Sequence, residues 1–177
     1  MRSSESVSRR LAHILRHDPA SAGVKLDEAG WADVDAVLAG LAAEGRPIGR
    51  AELERLVRDN DKRRFALDGD RIRARQGHSV PVDLGLAPAS PPELLFHGTV
   101  GRFLPSIREQ GLLPGNRHHV HLSPDRATAR TVGGRRGRPV VLTVLAARLA
   151  ATGAVFHHTD NGVWLTAAVP PGYLREP

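Results

Sequence analysis

The stretch RHHVHLS (117–123) places one arginine, three histidines and one serine within seven positions. Because side chains of a β-strand alternate between its two faces, Val120 and Leu122 are expected on a buried face together with His118. The opposite face would then carry the polar side chains Arg117, His119, His121 and Ser123. Such a row could bind an anion, form a solvated strand edge or, with a third ligand such as His97 or His157, hold zinc. An arginine beside the histidines repels a cation, and no HExxH pattern occurs, so we predict no metal site.

A second cationic cluster lies in SVSRRLAHILRHDP (6–19). Helical spacing of the apolar residues predicts an amphipathic helix that Pro19 ends, with an apolar side formed by Val7, Leu11, Ile14 and Leu15. The opposite side carries Arg9, Arg10, His13, Arg16 and His17. This side could bind an anion or be an ordinary solvated face, and the last two residues also complement the negative end of the helix dipole.

Three shorter motifs are weak when each is taken alone. In KRRFAL (62–67), Phe65 and Leu67 alternate as core-facing residues, so Arg64 is expected to point away from the core, where an arginine can contact phosphate. In FHGT (96–99), Gly98 allows close approach of a ligand to the backbone, and Thr99 could cap a following helix. QGHS (76–79) is the third motif.

Composition limits the class of protein that must position these residues. The 177-residue chain is 41% hydrophobic, enough for one or two packed domains. It has no cysteine, which excludes disulfides and thiol chemistry, and a net charge of +6, which favours a polyanionic partner. No apolar stretch approaches the ~20 residues of a membrane span, and RSSESVSRR after Met1 is unlike a signal peptide. We therefore predict a cytoplasmic protein that does not associate with a membrane.

The elements divide into two lobes and a linker. Helices followed by a hairpin about Asp68-Gly69 predict a winged-helix-like lobe over residues 1–78. A proline-rich linker covers 79–93. Several strands with few helices, including a hairpin about Asn161-Gly162 and a helix capped by Ser123, predict a second lobe over 94–177. The fold class is therefore α+β.

Six motifs in one order carry a family resemblance: LRHDP, KRRFAL, QGHS, FHGT, RHHVHLS and NGVWLT. Together, from about Ser8 to Leu174, they resemble the RNA 2′-phosphotransferase family, also called tRNA splicing 2′-phosphotransferases. The resemblance implies an N-terminal winged-helix-like RNA-binding lobe and a C-terminal ADP-ribosyltransferase-type lobe that binds NAD. It implies an NAD-dependent enzyme of RNA processing that removes an internal 2′-phosphate from RNA through an ADP-ribosylated phosphate intermediate. The products would be 2′-hydroxyl RNA, ADP-ribose 1″,2″-cyclic phosphate and nicotinamide.

The resemblance also implies roles for single residues. The catalytic set would be Arg16, His17, Arg64 and Arg117, with Arg63 as the neighbouring competitor of Arg64. The NAD-binding set would be His97, Gly98, Thr99 and Ser123. The family often has tyrosine before His-Gly-Thr, where this chain has Phe96.

Three arginines suit this chemistry because guanidinium forks hold phosphate oxygens without losing a proton. His17 could bind phosphate or assist proton transfer. The RNA substrate and NAD would be the partners of a monomer. Two alternatives stay open, an ADP-ribosyltransferase that caps terminal phosphates of nucleic acids and a winged-helix nucleic-acid-binding regulator.

Overall fold

The computed structural model describes residues 4–177, which divide into two compact units, one ending at Gly85 and the other running from Leu86 to Pro177. In this part of the chain there are six α-helices and three sheets, each of three antiparallel strands. This content confirms the predicted α+β class. No helix between residues 4 and 177 is both long and apolar enough to span a bilayer.

The first unit packs three helices against one small sheet. Its elements are α1 (Ser4–Arg16), β1 (Ala32–Asp33), α2 (Val34–Ala43), α3 (Arg50–Arg58), β2 (Phe65–Asp68) and β3 (Arg71–Ala74). The apolar face predicted for the first helix is confirmed by the burial of Val7, Leu11, Ile14 and Leu15. These side chains share one core with residues of the other helices and the sheet, including Leu41, Leu53, Phe65 and Ile72.

The sheet of the first unit has the strand order β1-β3-β2. Strands β2 and β3 form the predicted hairpin, in which Asp68 pairs with Arg71 across a turn that contains Gly69 at φ 56°. Positive φ is the conformation that glycine adopts without steric cost. Phe65 and Ile72 point to the core, so the polar residues between them face away from it.

The segment between β3 and the next strand consists of loops that attach to both units. The backbone N–H of Asp83 donates to the carbonyl oxygen of Glu28 in the first unit. Further on, Pro88 pairs with His157, and the backbone N–H of Ala89 donates to Phe156 O in the second unit.

The second unit contains two three-stranded sheets. Its elements are β4 (Leu95–Val100), α4 (Leu104–Gln110), β5 (Val120–Leu122), α5 (Arg126–Gly133), β6 (Pro139–Val144), α6 (Ala146–Ala150), β7 (Phe156–His158), β8 (Trp164–Thr166) and β9 (Leu174–Arg175). The strand orders are β4-β6-β9 and β5-β8-β7. Strands β7 and β8 form the hairpin predicted about Asn161-Gly162, with Gly162 at φ 83°. The two sheets share one apolar core that includes Leu95, Leu122, Leu142 and Phe156.

Candidate active site

The first predicted pair, Arg16 and His17, lies where α1 ends. Arg16 is the last helical residue and is half-buried, whereas His17 is exposed. The imidazole of His13, one turn earlier, lies 5.6 Å from that of His17 between ring centroids. The basic side of this helix is not uniformly solvated, because Arg10 donates from Nε to the carboxylate of Glu44 over 2.7 Å. This bond raises the pKa of Arg10 and lowers that of Glu44.

The QGHS segment packs against this pair within the same unit. The Ser79 hydroxyl lies 2.9 Å from Nδ1 of His17, and the Ser79 backbone N–H donates to the carbonyl oxygen of Arg16, also over 2.9 Å. Gly77 adopts φ 89° and lies directly against the guanidinium of Arg16. Two motifs that are about sixty residues apart in sequence are therefore neighbours in space.

Arg63 and Arg64, the two residues before β2, adopt different backbone conformations. Arg63 has φ 39°, a left-handed conformation that an arginine rarely adopts. Arg64 immediately precedes β2, and its carbonyl accepts from the backbone N–H of Arg75, which extends the hairpin by one pair. Strand alternation then directs Arg64 away from the buried Phe65, as predicted.

An open cavity of about 590 Å³ lies beside Arg64, between α1, α3 and the loop that precedes β2. Its lining carries both signs of charge, with Glu5, Glu52, Asp59 and Asp61 among the acids and Arg55, Lys62 and Arg64 among the bases. This mixture gives the cavity no clear preference for an anion.

In the second unit, FHGT and RHHVHLS meet. Phe96 of β4 and Ser123, just after β5, exchange two backbone hydrogen bonds of 2.9 and 2.7 Å. One residue further along β4, Nδ1 of His97 lies 3.0 Å from the carbonyl oxygen of His121. The two predicted motifs are therefore joined by three hydrogen bonds.

The bond to His121 defines the tautomer of His97. A carbonyl oxygen only accepts, so Nδ1 of His97 carries the proton and Nε2 of the neutral ring is an acceptor. Burial lowers the pKa of His97, against the raising effect of the carbonyl, and Arg136 lowers it further. At neutral pH His97 is thus an uncharged ring that can accept a hydrogen bond from a hydroxyl.

Arg117 precedes β5 in a turn, where its backbone N–H donates to Pro114 O. Arg117 is exposed at the surface. Protein atoms around its guanidinium still displace part of the surrounding water, and this desolvation lowers its pKa. Repulsion from Arg136 and Arg135 lowers that pKa further. Sequence analysis missed both of these arginines, and the run GGRRGR (133–138) was the signal that could have revealed them.

Gly98 packs closely against a helix, and the helix-capping role expected for Thr99 is wrong. A Cβ atom on Gly98 would stand 1.8 Å from the carbonyl oxygen of Ala129 and 2.7 Å from the nitrogen of Gly133. The space beside Gly98 is therefore filled by helix α5, so the glycine serves close packing of a helix on a strand. Thr99 is buried inside β4, which continues to Val100, and it caps no helix.

Two further local predictions are wrong. The cap of α5 is Asp125, whose carboxylate accepts from the backbone N–H of Thr128 over 2.7 Å. Ser123 pairs with Phe96 instead, so the helix begins two residues later than predicted. His118 is exposed and not core-facing, because β5 begins only at Val120 and strand alternation does not extend back to it.

Three further histidines make ring contacts. His119 meets His157 edge to face at 5.6 Å, and burial followed by repulsion from His157 and His118 lowers its pKa. His158 stacks on Trp164 at 4.4 Å. Across residues 4–177, no group of three or more histidine, aspartate and glutamate side chains has the arrangement of a metal site.

Each unit thus holds arginine and histidine side chains beside well-anchored backbone, as in enzymes that bind phosphorylated ligands. Comparison with known proteins identifies the family. Residues 2–168 match the model of the family described as RNA 2'-phosphotransferase, Tpt1 / KptA family, and the chain belongs to this family.

Several relatives are similar over nearly the whole chain. A protein of Streptomyces coelicolor named probable RNA 2'-phosphotransferase is 58% identical over 171 residues, which cover 97% of this chain and 94% of that protein. Proteins with the same name from Pseudomonas aeruginosa strain UCBPP-PA14 and Agrobacterium fabrum are each 54% identical. Each of these two alignments covers 97% of this chain. They cover 96% of the Pseudomonas protein and 93% of the Agrobacterium protein.

Proposed function

We propose that this chain is an RNA 2′-phosphotransferase that removes an internal 2′-phosphate from RNA with NAD as the acceptor. The observation that carries the proposal is the family match over residues 2–168, supported by relatives that are more than half identical from end to end. NAD follows from the family's chemistry. We assign the unit up to Gly85 to a winged-helix-like RNA-binding lobe and the unit from Leu86 to an ADP-ribosyltransferase-type lobe.

The residues of the second unit fit a dinucleotide such as NAD. Nε2 of His97 is an acceptor in the neutral ring, as recognition of a ribose hydroxyl requires. Arg135 and Arg136 are near enough to Arg117 to lower the pKa of its guanidinium, and such a concentration of positive charge suits a diphosphate. His97, Gly98, Thr99 and Ser123 would form the wall of this site, with Gly98 and Ser123 acting through the backbone they fix.

The 2′-phosphate would be bound by Arg16, His17, Arg64 and Arg117. A phosphate is already an anion at neutral pH, so it needs no general base to become a nucleophile, and the protein's task is to hold it in position. NAD, when bound, supplies an electrophilic ribose carbon with nicotinamide as its leaving group. In the second step a ribose hydroxyl of the transferred ADP-ribose would attack the same phosphorus, and the RNA 2′-oxygen would leave. Negative charge would then grow on the phosphoryl oxygens, and the guanidinium groups would stabilise that charge.

The test is a product analysis with the full chain. We expect an oligonucleotide with one internal 2′-phosphate, incubated with NAD, to give 2′-hydroxyl RNA, nicotinamide and ADP-ribose 1″,2″-cyclic phosphate. A 5′-phosphorylated oligonucleotide without the 2′-phosphate is the matched control. Arg64→Ala should reduce the rate of product formation about a thousandfold.

Other outcomes of this assay would identify other functions. A stable ADP-ribose adduct on the terminal phosphate, with the 2′-phosphate left intact, would indicate a capping ADP-ribosyltransferase. Tight RNA binding without release of nicotinamide would indicate a regulator. Either result would overturn the proposed reaction.

A further inference from the structure

The end of α1 is held by a segment from the far end of the same unit. Ser79 N–H donates to the carbonyl oxygen of Arg16 over 2.9 Å, and Val80 N–H donates to the same oxygen over 3.3 Å. The last carbonyls of a helix have no partner inside the helix and need donors from elsewhere. The backbone N–H groups of residues 79 and 80 supply these donors to Arg16, the last residue of the helix, which directly precedes His17.

A third bond reaches the side chain of His17 itself. The Ser79 hydroxyl lies 2.9 Å from Nδ1 of His17, and a hydroxyl can donate to or accept from that atom. Because Nδ1 is engaged by Ser79, a ligand of this ring would bind through Nε2. Both side chains are exposed, so loss of this bond would remove one restraint on rotation of the imidazole about its χ angles.

The residues that precede Ser79 are packed against the rest of the unit. Gly77 lies flat against Arg16, because the position of a Cβ atom on Gly77 would be 3.6 Å from both Cζ and Nε of the guanidinium. The neighbouring Gln76 and His78 are buried. His78 packs on Gly30, since a Cβ atom there would be 3.4 Å from its Nε2. Buried residues therefore fix the backbone from which the Ser79 hydroxyl projects.

We propose that residues 76–80 are a positioning segment for Arg16 and His17, and that Ser79 is the positioning residue of His17. Its hydroxyl fixes the imidazole through Nδ1, so that Nε2 points at the phosphate of the substrate. The identity of that substrate rests on the proposed function, but the contact between Ser79 and His17 does not.

The kinetic test compares three variants of the full chain on the 2′-phosphorylated oligonucleotide with NAD. Ser79→Ala should lower kcat about ten- to a hundredfold, because a catalytic group that is displaced by a fraction of an ångström loses much of its effect. Ser79→Thr keeps the hydroxyl and should stay within about threefold of the unchanged protein. Ser106→Ala is the matched control, since Ser106 is also exposed and also makes one hydrogen bond, to Phe103 O. It should leave kcat unchanged.

Two further measurements separate positioning from a merely structural role. The ¹⁵N chemical shifts of the His17 ring, assigned by comparison with His17→Asn, should change in Ser79→Ala and not in Ser106→Ala. In a His17→Asn background, Ser79→Ala should cause no further loss of activity.

The outcomes distinguish this inference from the proposed function. If Ser79→Ala keeps both the kcat and the His17 spectrum of the unchanged protein, the inference is overturned. It is also overturned if kcat falls while the His17 spectrum stays the same, because Ser79 would then act on the substrate directly. An unchanged protein that makes no product, together with a His17 spectrum that depends on Ser79, would refute the proposed function and support the positioning role.

Discussion

Replacing Gly98 by alanine tests whether this residue of the FHGT motif serves packing. The new Cβ atom would stand 1.8 Å from the carbonyl oxygen of Ala129, whereas nonbonded heavy atoms pack at about 3.5 Å. Helix α5, which contacts both β4 and β6, must therefore move away by on the order of 1–2 Å. We expect a loss of about 3 kcal/mol in the free energy of unfolding, at the upper end of the range for overpacked cores.

The measurement is thermal unfolding of the full chain, followed by circular dichroism and by calorimetry. A loss of about 3 kcal/mol in a unit of this size corresponds to a fall in Tm of roughly 12 °C or more. The matched control is Gly134→Ala, because a Cβ atom there has no neighbour within 4 Å and φ is −60°, which suits alanine. This control should unfold within a few degrees of the unchanged protein. A Gly98→Ala variant as stable as the control would refute the packing argument.

Two other predictions concern the first unit. Glu44→Gln should lower the free energy of unfolding at pH 7 by about 1 kcal/mol, because it removes a partly buried carboxylate bound to Arg10. The folded-state pKa of Glu44 is lowered, so this difference in the free energy of unfolding should be complete above about pH 5 and disappear as the pH falls through that pKa. Denaturant titrations at several pH values measure it. A difference that stays constant with pH would contradict the ion-pair explanation. Arg64→Ala should reduce kcat about a thousandfold. Arg63→Gly should retain activity and unfold at the same or a higher temperature, because glycine tolerates the positive φ at position 63. Equal losses of kcat in both variants would refute the assignment of the catalytic role to Arg64 and not Arg63.

The features that sequence predicted correctly are those set by near neighbours. The apolar side of α1 follows from the spacing of Val7, Leu11 and Ile14. An amphipathic helix buries its apolar side whichever residues form the core against it. The two hairpins follow from Gly69 and Gly162, whose positive φ is decided within the turn itself.

The features that sequence missed depend on partners far along the chain. Ser123 has the residue type of a helix cap, but its backbone groups are committed to Phe96, so the cap moves to Asp125. The close packing of Gly98 was missed as well, because the atoms against its Cα belong to a helix that starts 28 positions later. Local patterns contain no information about either partner.

The candidate site was predictable as a set of residue types and not as a set of contacts. Arg16 and Arg64 are assigned through the resemblance of LRHDP and KRRFAL to family motifs, because by residue type alone each could be an ordinary exposed arginine. Ser79 does not, because its bond to His17 spans 62 positions and a serine in a loop is unremarkable by composition. Long-range hydrogen bonds of this kind become visible only when the backbone is traced.

The pair of hydrogen bonds between Phe96 and Ser123 has a mechanical consequence. Both bonds join the same two residues, one in each direction, so the strands β4 and β5 cannot slide past each other without breaking both at once. A displacement of β4 at Phe96 should therefore also displace the end of β5, so a ligand that contacts one of these strands is expected to affect the position of the other.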